Sequence, residues 1–109
     1  MNLRAPSIRP DDCDELAALC KAGGDPLRLN VLRALANDSF GVLELAQIFA
    51  VGQSGMSHHL KVLAQAELVA TRREGKYIFY GLASPEVIQV MKTLSGLYCG
   101  AVLKSWGHP

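Results

Sequence analysis

One short hairpin in an otherwise helical chain limits what this sequence can fold into. Residues 69–74 (VATRRE) and 77–82 (YIFYGL) are two strand-like runs, and Gly75-Lys76 lies between them. A two-residue loop with glycine first suits a type II′ hairpin. Three or four helical patterns come before it and one comes after.

The helical patterns carry their own punctuation. Pro6 and Pro10 and a lack of periodicity predict a loose arm over 1–10. Asp11 or Asp12 can cap a first helix, with Glu15 three residues after Asp12 as a capping-box partner. Cys13, Leu16, Ala17 and Cys20 follow on one helical face, and Gly23-Gly24 stops the helix. Asp25 as N-cap and Pro26 at the first position open a second helix, whose buried stripe is Leu27, Val31, Leu32 and Leu35. Asn37-Asp38 ends it. A short third helix near 42–50 has Val42, Leu45, Ala46 and Phe49 on one side. Gly52 is expected to give the turn into a fourth helix over about 53–66. Connections this short between the second, third and fourth helices fit a helix-turn-helix. Ser84-Pro85-Glu86 then starts a last helix.

Its apolar stripe is Val87, Met91, Leu94, Tyr98 and Val102, and Val90, Leu97 and Leu103 lie off that stripe. The helix is therefore expected to be buried on more than one side. A domain of 109 residues hardly needs so much apolar surface, and a subunit interface would use it. Gly96 and Gly100 would let another backbone come close. Helices, hairpin, helix is the layout of a winged helix, mainly α with a β-hairpin wing.

Charge adds a little. The net charge is only +1, but residues 1–50 carry 5 Lys/Arg against 7 Asp/Glu and residues 51–109 carry 6 against 3. The basic back half is the better candidate for an anionic partner. Three cysteines make no disulfide framework. No leader is expected in a first decade with two Arg, two Pro and no apolar run. The longest weakly charged stretch, 77–91, is broken by Pro85 and Glu86, so no membrane helix is expected. The expectation is a soluble, intracellular protein with reduced thiols.

On the fourth helix, a turn of 100° per residue puts Met56, Leu60, Leu63 and Ala64 toward the core. Ser54, Ser57, His58, Lys61 and Gln65 fall on the outer side. Hydroxyls, amides and a cation starting at a helix N-terminus suit major-groove bases and phosphates. A plain solvated face is the bland alternative. The adjacent His58 and His59 do not share a face, and metal pairs on a helix need i, i+3 or i+4. No Asp, Glu, His or Cys lies at those offsets, so His59 is expected to be structural, bonded to a backbone group or a phosphate. Arg72, Arg73 and Lys76 flank the hairpin tip beside Tyr77. They could reach a phosphate backbone or only protect an edge strand. Helix and hairpin together favour DNA.

Cys13 and Cys20 lie seven apart, roughly 10 Å of helical rise. That exceeds the ~7 Å between Cα atoms that a disulfide spans. Cys99, on the last helix, could approach either of them. Three thiolates can hold a soft ion such as arsenite and two can form a redox pair; the alternative is that small cysteines simply pack. There is no catalytic constellation: Ser57 has no acid to orient its neighbouring histidines, and no phosphate loop or dinucleotide fingerprint is present. An enzyme is not expected.

Over roughly residues 12–105 the chain resembles the ArsR-type (arsenical-repressor) winged-helix transcriptional regulators. Asp25-Pro26-Leu27-Arg28-Leu29 with Val31-Leu32, Val42-Leu43-Glu44-Leu45-Ala46, and Gln53-Ser54 through Ser57-His58-His59-Leu60-Lys61-Val62-Leu63 carry the resemblance. The wing residues Arg73-Glu74-Gly75-Lys76, with Tyr80 and Leu82, also match. The resemblance implies dimerisation through the first and last helices. It implies double-stranded operator DNA as partner, with half-sites about one helical turn apart, and repression relieved by a metal, metalloid or oxidant. The sensing positions depart from the family. The Cys-x-Cys positions of the third helix are Gly41 and Leu43 here. The last helix has no Asp or His for zinc. Phe40 stands where redox-sensing members have the partner of a cysteine such as Cys99.

The expectation is thus a cytoplasmic homodimeric repressor, with an arm over 1–10 and a winged helix-turn-helix domain over 11–106. Gln53, Ser54, Ser57, His58, Lys61, Arg72, Arg73 and Lys76 would bind palindromic operator DNA. Cys13, Cys20 and Cys99 are a candidate thiol sensor, with no certain cofactor. A regulator with no thiol role, and a protein-binding winged helix without DNA affinity, stay open.

Overall fold

The computed structural model describes residues 13–98. In chain order they form α1 (Asp14–Ala22), α2 (Pro26–Leu35), α3 (Val42–Ile48), α4 (Gln53–Gln65), β1 (Val69–Glu74), β2 (Tyr77–Leu82) and α5 (Pro85–Tyr98). The arm over 1–10, the Asp11 and Asp12 caps, Cys99, Gly100, Val102 and Leu103 lie outside the described residues.

Local chemistry sets most boundaries. The Asp25 carboxylate accepts from the Leu27 amide at 2.8 Å and the Arg28 amide at 3.4 Å, and Pro26 opens α2 behind that cap. Glu44 reaches back from the first turn of α3 to accept from the Gly41 amide at 2.9 Å. α1 departs from the expected start. It begins at Asp14 with Cys13 as N-cap, and no side chain caps it.

The turn between α3 and α4 also departs from the expected reading. Gly52 has an ordinary φ of −68° as the N-cap of α4. The left-handed residue is Ala50, at φ 54°. Its amide bonds to the Gln47 carbonyl at 3.2 Å and the next amide, of Val51, bonds to the Ala46 carbonyl at 3.0 Å. This is a Schellman motif with alanine where glycine is usual. α4 ends the same way: Glu67 has φ 59°, and the Leu68 amide reaches the Leu63 carbonyl at 3.0 Å.

The core joins Val31, Leu32 and Leu35 of α2, Leu45 of α3, Met56, Leu60 and Leu63 of α4, Leu68 and Val69 beyond it, and Val87 and Met91 of α5. Burial of a leucine of this kind contributes about 1.5–3 kcal/mol. β1 and β2 pair antiparallel, from Val69 with Leu82 to Glu74 with Tyr77. Phe40 bridges the free edge of β2 through two bonds with Tyr80, of 3.0 and 2.8 Å. The segment before α3 is thereby tied to the hairpin. Gly75 has φ 61° and Lys76 is not left-handed, the sign pattern of a type II′ turn.

Three predicted faces change. Cys13, Leu16, Ala17 and Cys20 do line one side of α1, but that side is open, with Leu16 57% exposed. Ala22 and the half-buried Leu19, from the opposite side, meet the core. Periodicity finds an apolar face but not its cover. On α4, Ala64 is exposed and Val62 is buried in its place. The helix packs against α1, α2, α3 and β1, so its covered arc extends further toward Val62 than a single-sided core would need. On α5, Val87 and Met91 are buried, while Val90 and Leu94 are 39% and 43% exposed. Among the described residues no helix is long and apolar enough to cross a membrane.

Candidate nucleic-acid interface

α3, a four-residue turn and α4 make a helix-turn-helix, and the β1–β2 hairpin is its wing. Gln53, Ser54, Ser57, His58, Lys61 and Gln65 are all exposed on α4, while Met56, Leu60 and Leu63 anchor its other side in the core. The N-cap, Gly52, makes no side-chain bond to the first turn, so the amides there are free to meet an anion. One rigid helix therefore presents hydroxyl, amide, imidazole and ammonium groups in a single row.

The wing cations do not form one cluster. Arg72 and Arg73 are consecutive on a strand and point to opposite faces of the hairpin. Arg72 Nε donates to Glu74 Oε1 at 3.0 Å and Nη1 to Ser39 Oγ at 3.5 Å, and its guanidinium lies 5.2 Å over the Phe79 ring. Arg73 Nε donates to the Gly75 carbonyl at 3.2 Å. Lys76 Nζ sits 5.7 Å over the Tyr77 ring. All three cations remain exposed. The hairpin tip thus has a cation on each face and a third at its turn, a shape that can be flanked by phosphates on both sides.

The two histidines separate, as their positions on the helix require. His58 is exposed. His59 is half-buried, and its ring centroid is 5.9 Å from that of His58. The partner of His59 is neither a backbone group nor an anion: its Nδ1 lies 3.1 Å from Arg28 Nη1. Residue pattern alone did not mark Arg28 as part of the site. The available signal was a cation in the first turn of an amphipathic helix, three residues after an aspartate.

Cys13 and Cys20 are free thiols, both exposed. Among the described residues no group of three or more His, Cys, Asp or Glu is placed to hold a metal ion. An open groove of about 480 Å³ runs between α1, the end of α4 and the start of α5. Asp14, Glu15, Glu67 and Glu86 rim it, which is the wrong sign for a nucleic acid.

Comparison with known proteins agrees with this geometry. A helix-turn-helix domain family matches residues 24–72. The biofilm growth-associated repressor of Xylella fastidiosa is 36% identical over 79% of this chain and 75% of its own length. The transcriptional activator HlyU of Vibrio cholerae is 39% identical over 76% of this chain and 77% of its own length. The structure of reduced HlyU superposes with a TM-score of 0.68, covering 82% of this chain and 94% of that one at 35% identity. The homodimeric winged helix-turn-helix DNA-binding domain of a possible ArsR-family regulator from Mycobacterium bovis gives a TM-score of 0.76 at 25% identity, covering 86% of this chain and 89% of that one. With its helix-turn-helix, its wing and these relatives, the chain belongs to the ArsR-type family of winged-helix transcriptional regulators, which are DNA-binding proteins and not enzymes.

Proposed function

We propose that this chain acts in the cytoplasm as a homodimeric transcriptional repressor of a palindromic operator. The observation that carries the reading is the exposed row on α4, held by a helix whose other side is fully buried. Gln53, Ser54, Ser57 and His58 approach bases or their phosphates. Lys61, Arg72, Arg73 and Lys76 contact the backbone. The homodimeric relative from Mycobacterium bovis supports the assembly, as do the uncovered apolar residues Leu16, Val90 and Leu94 on α1 and α5. The Xylella relative is a repressor, which supports the sign of the effect.

The test is binding of the purified protein to a duplex carrying the promoter of its own gene, followed by fluorescence anisotropy across salt concentrations. Specific binding should weaken steeply as salt rises. Binding to no duplex at low salt would leave a protein-binding winged helix as the answer. Replacing Ser57 and His58 by alanine should cost roughly tenfold or more on the operator and little on random DNA, since a good base contact contributes about 1–3 kcal/mol.

Release by a thiol-reactive signal is the second part of the proposal. Its support is the exposure of Cys13 and Cys20 on one side of α1. Cys99 is the third candidate. Arsenite, zinc and peroxide titrations of the DNA complex test it. A response that survives replacement of all three cysteines would remove the thiol role.

A further inference from the structure

Arg28 links three helices. It stands in the first turn of α2 with only 12% of its side chain exposed. Nε donates to the Ala22 carbonyl at 2.8 Å and Nη2 to the Lys21 carbonyl at 3.0 Å. Those are the last two residues of α1, whose carbonyls lack partners within the helix and carry the negative end of its dipole. Asp25 Oδ2 lies 3.9 Å from Nη1. The remaining contact is Nη1 to His59 Nδ1, at 3.1 Å, across 31 residues of sequence.

That contact fixes the state of His59. A guanidinium has only donors and keeps its charge at any ordinary pH. The shared proton therefore belongs to Arg28, and Nδ1 must offer a lone pair. The imidazole is then neutral, with its own proton on Nε2. The guanidinium is also planar and rigid, so bonds on three of its corners set a fixed spacing between the end of α1 and the middle of α4. His59 follows His58 directly and lies away from the exposed row, so the brace acts on α4 from behind.

We propose that Arg28 is a positioning residue for operator binding, which holds α4 at its working setting against α1 through neutral His59. This rests on the reading of α4 as the DNA-recognition helix. The role differs from a contact with DNA: Arg28 acts only through His59 and through the carbonyls of α1.

Two measurements on the full chain test it. Imidazole nitrogen NMR reads the tautomer without DNA. Wild type should show His59 unprotonated at Nδ1 and protonated at Nε2 at neutral pH, and Arg28→Gln should relax it toward the mixed tautomers of a free imidazole. A His59 ring with its proton on Nδ1 in wild type would overturn the brace. Anisotropy with the promoter duplex reads the consequence. Arg28→Gln, Arg28→Lys and His59→Phe should each lose about tenfold in operator affinity, with unchanged circular dichroism. His59→Asn, whose side-chain oxygen can stand near the place of Nδ1, should stay within about threefold of wild type. Arg28→Gln with His59→Phe should bind no worse than either alone, as expected for one interaction removed twice. Should Arg28→Gln fail to fold, Arg28→Lys and His59→Phe make the same comparison. Folded variants that bind as wild type, or losses that simply add, overturn the positioning role alone. A wild type that binds no DNA overturns the DNA-binding reading and the positioning role with it.

Discussion

Arg72 and Glu74 sit on the same face of β1, with Arg72 Nε 3.0 Å from Glu74 Oε1. The carboxylate occupies a guanidinium edge that a phosphate would otherwise use. Both side chains are more than half exposed, so the pair itself is weak. Glu74→Gln should therefore raise DNA affinity about two- to fivefold. Replacing Arg72 and Arg73 by alanine should weaken binding to every duplex and reduce the salt slope by about 1.8, at roughly 0.9 per phosphate contact. An unchanged slope in that double variant would remove the wing from the interface.

The uncovered stripe of α1 and the outer side of α5 give a test of assembly. Leu16→Asp with Leu94→Asp should convert a dimer to a monomer in sedimentation at micromolar concentration. It should also weaken operator binding, because a single half-site supplies fewer contacts. A wild type that sediments as a monomer at the same concentration would contradict the interface.

The left-handed positions predict stability changes of opposite sign. Ala50→Gly relieves an alanine held at φ 54°, and should add about 0.5–1 kcal/mol in a urea titration at unchanged m. Gly75→Ala puts a Cβ where φ is 61° and should cost about 1–2 kcal/mol. Two variants shifting in the same direction would contradict the turn assignments.

Acid should destabilise the fold through Asp25 and Glu86. At Asp25 desolvation pushes the carboxyl up, but hydrogen bonds from the Leu27 and Arg28 amides and the charge of Arg28 outweigh it, leaving the group below its ordinary 3.8. At Glu86 the hydrogen bond with the Ser84 side chain lowers the group below 4.5. A carboxyl with a lowered folded pKa contributes stability that is complete above its unfolded value. That contribution is lost as the pH falls through the folded one. The contribution of these two carboxylates should thus be constant above about pH 5 and decline below it. Asp25→Asn, which keeps an acceptor oxygen for the cap, should flatten part of that decline in thermal melts at pH 3–5.

How far the sequence speaks depends on the range of the interaction. Asp25 and Pro26 start α2 where local capping chemistry says they should, and glycine at 75 sets the hairpin to the residue. Both depend on atoms a few positions apart. The row on α4 was legible because one helix needs only its own periodicity to divide exposed from buried. Leu16 and Cys20 show the limit: their face was visible, but its exposure depends on a neighbour the pattern does not contain. Ala50 escaped because hydrogen bonds and the burial around Ala46 and Val51 override the usual demand for glycine. Arg28 and His59 lie 31 residues apart, and no local rule joins them.

The left-handed alanine before α4 and the left-handed glutamate after it have one more consequence. Neither joint has the glycine usual at such a position; each is kept closed by its backbone hydrogen bonds and by the apolar residue that follows, Val51 or Leu68, packing with its neighbours. Fidelity of operator reading then becomes a property of the interior. A cavity made at Leu63, or a denaturant concentration well below the unfolding midpoint, should blur discrimination between related operators while the helical signal stays intact.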